Sequence, residues 1–502
     1  MLAVLLLVVA AVSTGAAQSK GVAGAVNSAN TILRHDIEQA VDKIRNDDYA
    51  GADRDYKRIL DSKAFKDLGI DEQRRSFYLA SMVAGQVDDW KRAHALAVRA
   101  TEIEPASAED WHLRYRMAMP AAEIRDGAAS LALIAERWPS TLSDIRDDSI
   151  VQTVFYSRRP PGSDKTWLAL VEALRKADWR TVDQREPSQM WLDLTLYYLQ
   201  HSTVERAGEV AAHVTDPRLL IGMRSDKQFD RVVGKNHYAS DIDRAAREDV
   251  ELLQAAARRS PKLMAIRNQL VQALIVANRP AEALRVADET LARIKTTTEV
   301  DPAFDDLDDQ LNWAYDMRAR ALRLLGRWDE ALDQWMKGST LTENGGVNVS
   351  QAINVGYYYC DLDRPEDARA IVAKVSNVSP YGALQLESVK HAAALLLHDD
   401  SEAARALKFI KDHQSDSPGT YQWALARANN VEVGAKLLVS RLKDPKLRTD
   451  ALADVQQYAE VIEPAKNKEW ATNFRVVVER PEVQQAIAKV GRAGHYNIVN
   501  EF

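Results

Sequence analysis

Cysteine is nearly absent: Cys360 is the only one in 502 residues. One thiol closes no intrachain disulfide and builds no cysteine-based zinc scaffold, so both classes are excluded. An excess of positive charge is also missing. Lysine plus arginine number 66 against 73 acidic residues, a net charge of −7. A general nucleic-acid binder needs a basic surface to neutralise phosphates, and this chain does not supply one. Aromatic residues make up 7%, and long alternating runs of β-branched residues do not occur, which argues against sheets. Gly-rich phosphate loops, a Gly-x-Ser-x-Gly elbow and a His-Glu-x-x-His helix are all lacking. The ten histidines are scattered. His391 and His398 could share one helix face two turns apart, yet no carboxylate completes a metal set with them.

What is present favours helix. Ala, Leu, Arg, Glu and Asp dominate, and these are mostly strong helix formers. Apolar residues at 46% and charged residues at 28% fit a folded soluble protein. The length suffices for several domain-sized cores or one long array. Cys360 lies in an apolar-aromatic stretch and reads as a small packed residue.

The first residues, MLAVLLLVVAAVSTGAAQ, carry an apolar run over positions 2–12. Eleven residues are too few to span a bilayer. Gly15, Ala16 and Ala17 fit a small-residue cleavage site, so residues 1–17 are expected to be a secretory signal and Gln18 the mature start. The absence of Lys or Arg before the run departs from that pattern and keeps an uncleaved anchor as the alternative. The cleaved chain would be periplasmic or secreted, with no integral membrane segment.

Short similar pieces recur. LGRWDEAL (325–332) resembles ANRPAEAL (277–284), LDRPEDAR (362–369), NDDYAGAD (46–53) and VDDWKRAH (87–94). Each has a turn-prone residue, then an aromatic, a proline or polar residues, then a small residue. Proline suits the first helical turn, where its missing N–H is not needed. Acidic residues there meet the positive end of the helix dipole. Gly326 is thus expected to end one helix, and Asp329, Glu330 and Ala331 to open the next.

The spacing sharpens this. Pro105 and Pro139 are 34 residues apart, and Gly127 lies 22 residues after Pro105, as Ala283 does after Pro261. A 34-residue period of helix–turn–helix units with a closing proline resembles the tetratricopeptide repeat. Around Ala331 the resemblance falls on Tyr315, Ala319, Trp328, Trp335 and Gly338. Around Ala368 it falls on residues 355–359, and around Ala93 on Phe77, Ser81, Trp90, Ala100 and Pro105. Glu343 stands where one closing proline belongs, and the 48 residues between Ala283 and Ala331 contain an insertion.

The resemblance implies an all-α fold, an α-solenoid of stacked antiparallel helix pairs in a right-handed superhelix. Helical repeats are expected over residues 18–140 and 239–445, with capping helices over 446–502. Residues 141–238 keep helical periodicity without a clear unit and are expected to form a connector. Its part DPRLLIGMRSDKQFDRVV (216–233) resembles segments found between helical repeats of secreted bacterial proteins. RPEVQQAIAKVG (480–491), with Pro at its start and Gly at its end, predicts one short helix.

The remaining motifs read plainly. DPAFDDLDDQ (301–310) holds five aspartates but no calcium-loop glycine, so it is expected to be a solvated insertion feeding a helix N-terminus. Asn348 and Asn377 begin glycosylation triplets, relevant only in a eukaryotic secretory route.

In the tetratricopeptide family the first helix of each unit lines a concave groove. Carried onto this chain, the groove positions are Asn268, Gln272, Trp313, Asp316, Arg320, Arg323 and Tyr357. The implied function is a non-enzymatic scaffold that binds a protein or peptide in the bacterial cell envelope, without metal, cofactor or nucleic acid. The alternative is an envelope carbohydrate-active enzyme, glycosidase or lytic-transglycosylase-like, built on a helical superhelix; no carboxylate pair or catalytic motif singles itself out for that role.

Overall fold

The computed structural model describes residues 24–158, 164–295, 302–341, 348–376 and 378–500. Residues 1–17, Gln18, Asp301, Glu343 and Asn377, which figured in the sequence reading, lie outside them. No helix among the described residues is long and apolar enough to cross a membrane. The chain divides into two compact units, residues 1–179 and 180–502. The boundary between them falls within 141–238, the stretch expected to be a connector.

The first unit holds α1 (Gly24–Arg45), α2 (Tyr49–Asp61), α3 (Ile70–Gln86), α4 (Trp90–Thr101), α5 (Ala108–Ala118), α6 (Ile124–Arg137), α7 (Asp147–Ser157) and α8 (Asp164–Lys176). The second opens with α9 (Ser188–His201), α10 (Val204–Ala211), α11 (Pro217–Ser225) and α12 (Ile242–Arg259). Five hairpins follow: α13 (Met264–Val276) with α14 (Pro280–Ile294), α15 (Leu307–Leu324) with α16 (Trp328–Ser339), α17 (Val349–Asp361) with α18 (Pro365–Val372), α19 (Pro380–Leu396) with α20 (Asp400–Asp412), and α21 (Pro418–Arg427) with α22 (Val431–Lys443). It ends with α23 (Arg448–Asp454), α24 (Ala465–Val478) and α25 (Pro481–Val490). Two isolated β-bridges are the only extended pairing among the described residues. Consecutive helices of each hairpin pack on one another and on the next hairpin. Three-residue connections leave them no arrangement but antiparallel. Each unit is thus an α-solenoid stack of tetratricopeptide-like hairpins.

One turn is used throughout. Asp47, Asp88, Ala122, Asn278, Gly326, Asp363, His398 and Asn429 each take a left-handed backbone between paired helices, with φ from 50° to 72°. In each case the next residue's N–H reaches back five positions to a helical carbonyl, as Arg327 does to Leu322 at 3.0 Å and Asn430 to Leu425 at 2.8 Å. That bond satisfies a carbonyl the helix end leaves unpaired. Five positions after each left-handed residue stands a small, buried one: Ala52, Ala93, Gly127, Ala283, Ala331, Ala368, Ala403 and Gly434. The small residue is needed because the second helix here lies closest to the first. At the pair of α3 and α4 the approach is close enough for the Ser81 hydroxyl to donate to the Ala93 carbonyl at 2.7 Å.

The second helix is started by two chemistries. Asp48, Asp89, Asp399 and Asn430 accept from the backbone N–H three residues on, the ordinary N-cap. Arg279, Arg327 and Arg364 occupy the same place and instead pair with the acid three residues on, at 2.6 Å to Glu282 and 2.7 Å to Glu330 and Asp367. Pro280 and Pro365 sit at the helix start, as their fixed φ favours.

Several smaller expectations have clear outcomes. Asp308 and Asp309 lie in the first turn of α15, and Asp306 accepts from the Met264 and Ala265 amides at 2.7 and 2.9 Å, so the aspartate run serves two helix N-termini. His391 is buried in α19 while His398 is in the turn after it, so they share no helix face. Asn348 is 1% exposed and caps α17, which removes it as a glycan acceptor. Cys360 is buried, and burial pushes its thiol up to about 12. Gly491 does follow α25, but its φ of −161° is ordinary extended backbone. A Cβ there would lie 2.5 Å from the Ser225 carbonyl, so close approach explains the glycine.

The ends of the second unit meet. α11 packs on α23, Asp226 bridges to Gly491, and Arg492 pairs with Asp230 at 2.9 Å. α24 and α25 pack on α22 and continue the stack. The segments beside them then run back along the hairpin turns. Ile462 lies over Gly326, and the Val499 N–H donates to the Val276 carbonyl at 3.0 Å.

Ala331→Trp should lower stability by about 1–3 kcal/mol, because Ala331 has no exposed surface and overpacking strains both helices. A melting temperature equal to that of the parent would contradict the helix contact at this position.

Candidate functional site

In the second unit the first helices α13 and α15 pack against each other, and α17 reaches α15 through Asn354 and Asp316. The groove positions implied by resemblance all lie on them, but the structure gives them different roles.

Asp316 has no exposed surface. Its carboxylate accepts from Trp335 Nε1 at 2.7 Å, Arg320 Nε at 2.7 Å and Asn354 Nδ2 at 3.2 Å. It therefore ties α15, α16 and α17 together and offers no atom to a ligand, which corrects its expected place in a groove. The same tryptophan meets Tyr358 edge-on at 4.4 Å. A buried carboxylate is tolerated here because three donors replace the water it loses.

Asn268 is also buried, and its amide donates to the carbonyl of Gln310 at 3.2 Å, linking α13 to α15. Arg323 is held by Glu463, at 3.0 Å, from the segment preceding α24. Tyr357 donates to Gln385 Oε1 at 2.8 Å, and the Arg427 guanidinium lies 5.1 Å from its ring centre. Asn268, Arg323 and Tyr357 are thus occupied by the chain itself.

Gln272 and Trp313 remain, while Arg320 is already engaged by Asp316. Gln272 and Trp313 are half-buried. The Trp313 indole makes no hydrogen bond, ring contact or cation contact among the described residues, unlike the Trp335 indole one helix away. Arg320, seven positions after Trp313, is on the same side of α15, two turns on. Arg185 reaches this side of α13 through Gln269, at 2.9 Å. Arg218 pairs with Asp216 at 3.0 Å and feels the charge of Arg320. Asp249, on α12, is pushed up to about 6 by burial, with Arg185 pulling it back. Arg185 and Arg218 come from the stretch expected to be a connector, and Asp249 from the expected repeats but ahead of the first recurring piece there, 277–284, so none of them carried a groove position.

A second polar cluster sits where the returning segment covers the turns. Arg427 is held between Tyr357 and Trp470, 5.3 Å from the latter's ring centre, and donates to Ser388 Oγ at 3.1 Å. His391 is pushed down to about 4 by burial and then by Arg427, so its ring is neutral. Asp361 is pushed up to about 7, mainly by burial; Arg323 and Arg427 oppose the rise and Glu463 adds to it. Among the described residues no group of histidine, cysteine and carboxylate side chains is arranged to hold a metal ion.

No family profile and no curated protein matches the chain. Solved structures do. The APC/C hetero-tetramer Cut9-Hcn1 matches with 12% identity and a TM-score of 0.29, covering 91% of this chain and 89% of the other. Yeast Tom70 matches with 12% identity and a TM-score of 0.21, covering 92% of this chain and 100% of the other. A human IFIT1 dimer with PPP-AAAA matches with 13% identity and a TM-score of 0.30, covering 86% and 92%. At such scores these likenesses carry no functional inference. The repeated left-handed turn and its small residue are what make this an all-helical repeat protein of tetratricopeptide-like hairpins.

The Asp361 carboxyl gives a pH test. An unfolded aspartate titrates near about 4, and in the folded chain Asp361 titrates at about 7. Between those values the folded state holds the extra proton, so this residue's contribution makes stability fall as pH rises through that window. Asp361→Asn should therefore raise the melting temperature more at pH 8 than at pH 5, relative to the parent. The same difference at both pH values would show that Asp361 is not held protonated.

Proposed function

We propose that the chain is a non-catalytic scaffold that captures a protein partner as an extended peptide on the first-helix faces of its second unit. The observation that carries this reading is Trp313. A half-buried indole without a ring, cation or hydrogen-bond partner is costly surface, and such aromatics anchor interfaces. Gln272 adds an amide on the neighbouring helix α13, a group that holds peptide carbonyls. Stacked helical repeats present continuous faces of this kind. The setting we infer is the cell envelope of an exporting bacterium, periplasmic or secreted, on the support of the apolar run and small residues over 1–17.

A second reading, an envelope carbohydrate-active enzyme, has one observation in its favour. Asp361 near neutrality within electrostatic reach of Glu463 resembles an acid beside a charged carboxylate. Glu463 is pinned by Arg323, however, which leaves it no freedom to act beside Asp361. We favour the scaffold.

Replacing Trp313 by Ala should leave the fold nearly intact and weaken partner capture from envelope extracts. The same partners at the same abundance would rule out this face. Loss of the helical signal in this variant would place Trp313 in the core.

A further inference from the structure

Away from the first-helix faces just described, α12, α13 and α14 leave an open cleft of about 190 Å³. Three guanidinium groups line it, Arg258 from α12, Arg267 from α13 and Arg285 from α14, with a single carboxylate, Glu289. Arg285 Nη1 holds Glu289 Oε1 at 2.8 Å, and Arg267 Nη2 is 3.8 Å from Oε2. Arg267 also donates through Nε to Thr290 Oγ1 at 2.8 Å, which fixes its orientation. Arg258 is exposed and makes no hydrogen bond or ion pair among the described residues. Three cations against one anion leave the cleft with unneutralised positive charge. Burial, and then the charge of Arg293 outside the cleft, push the Arg267 guanidinium below its ordinary value, against the opposing charge of Glu289.

The floor has the opposite character. Leu270 is 6% exposed and Val286 8% exposed, and both line the cleft. An apolar floor under convergent guanidinium groups selects a ligand with an anionic head and a short apolar body. Size narrows it further. Sites for drug-sized molecules occupy roughly 300–1,000 Å³, so this cleft admits a group of about amino-acid size. Planar guanidinium forks match a carboxylate in two-point contact. We propose that the cleft binds an organic carboxylate of amino-acid size, its carboxylate on Arg258 and Arg267 and its apolar body over Leu270 and Val286. The site shares no residue with the Trp313 face and stands whether or not that face binds a peptide.

The experiment uses the full chain and N-acetyl-leucine at millimolar concentration, read as a rise in melting temperature and by calorimetric titration. The expected result is a saturable rise, absent with N-acetyl-leucinamide and requiring roughly tenfold more N-acetyl-glycine, which lacks the buried side chain. Raised salt should weaken it, since the head groups are partly open to solvent. Arg258→Gln should abolish the rise while leaving the ligand-free melting temperature unchanged, and Arg258→Lys should retain part of it. No rise would overturn the proposal. So would equal rises with the amide, with N-acetyl-glycine or with inorganic phosphate at matched ionic strength, or an undiminished rise in Arg258→Gln.

Discussion

The hairpin turn governs this structure. One residue takes a left-handed backbone, the next returns a hydrogen bond to the helix just ended, and a small residue follows in the first turns of the next helix. The backward bond sets the angle at which the chain leaves the first helix. Absence of a long side chain at the contact lets the second helix approach to the usual packing distance. With that pair geometry repeated, one hairpin's exposed apolar side becomes the next hairpin's core. The identity of the left-handed residue matters less than its freedom to adopt that backbone. Aspartate and asparagine hold it at five positions, glycine, histidine and alanine at one each, consistent with the local polar bonding that lets Asx residues tolerate this region.

Within that frame the second unit is specified by a few buried polar groups. Asp316 joins three helices through three donors. Removing any one of them would leave a buried charge short of a partner, the costly half of the hydrogen-bond balance. Arg427, held between two aromatic rings, plays the corresponding part where α17, α19 and α21 meet α24. These contacts consume side chains that repeat geometry alone would assign to a binding face. What stays available is therefore narrower than the full first-helix surface, and Trp313 is conspicuous because it escaped this use.

Arginine shows the same division. In the turns it replaces an N-cap and pairs with the acid three residues on, an exposed contact that contributes little because water screens it. At Arg323 and Arg492 it binds the chain's own distant segments. In the cleft of α12 to α14 it exceeds the acids available. That last arrangement leaves charge for an outside ligand.

The turns and their small residues were legible from residues 46–53, 87–94, 277–284, 325–332 and 362–369, because local backbone needs restrict residue choice at fixed spacing. The turn at Asn429 was less legible: Gly434 stands in the small position, and neither proline nor aromatic follows the turn. The candidate site was read only as a set of positions. Periodicity puts Asp316, Trp313 and Arg320 on one side of a helix, but it cannot say that Asp316 faces an indole from the next helix while Trp313 does not. The sequence by itself determined the helices, their turns and their pairing, all set by contacts within about forty residues. Tertiary structure alone decided that Arg323 meets Glu463, that Gly491 lies against Ser225 and that Val276 receives Val499. Those partners are 140 to more than 260 residues apart, and no local periodicity encodes contacts made only when the stacked hairpins bring the ends of the unit together.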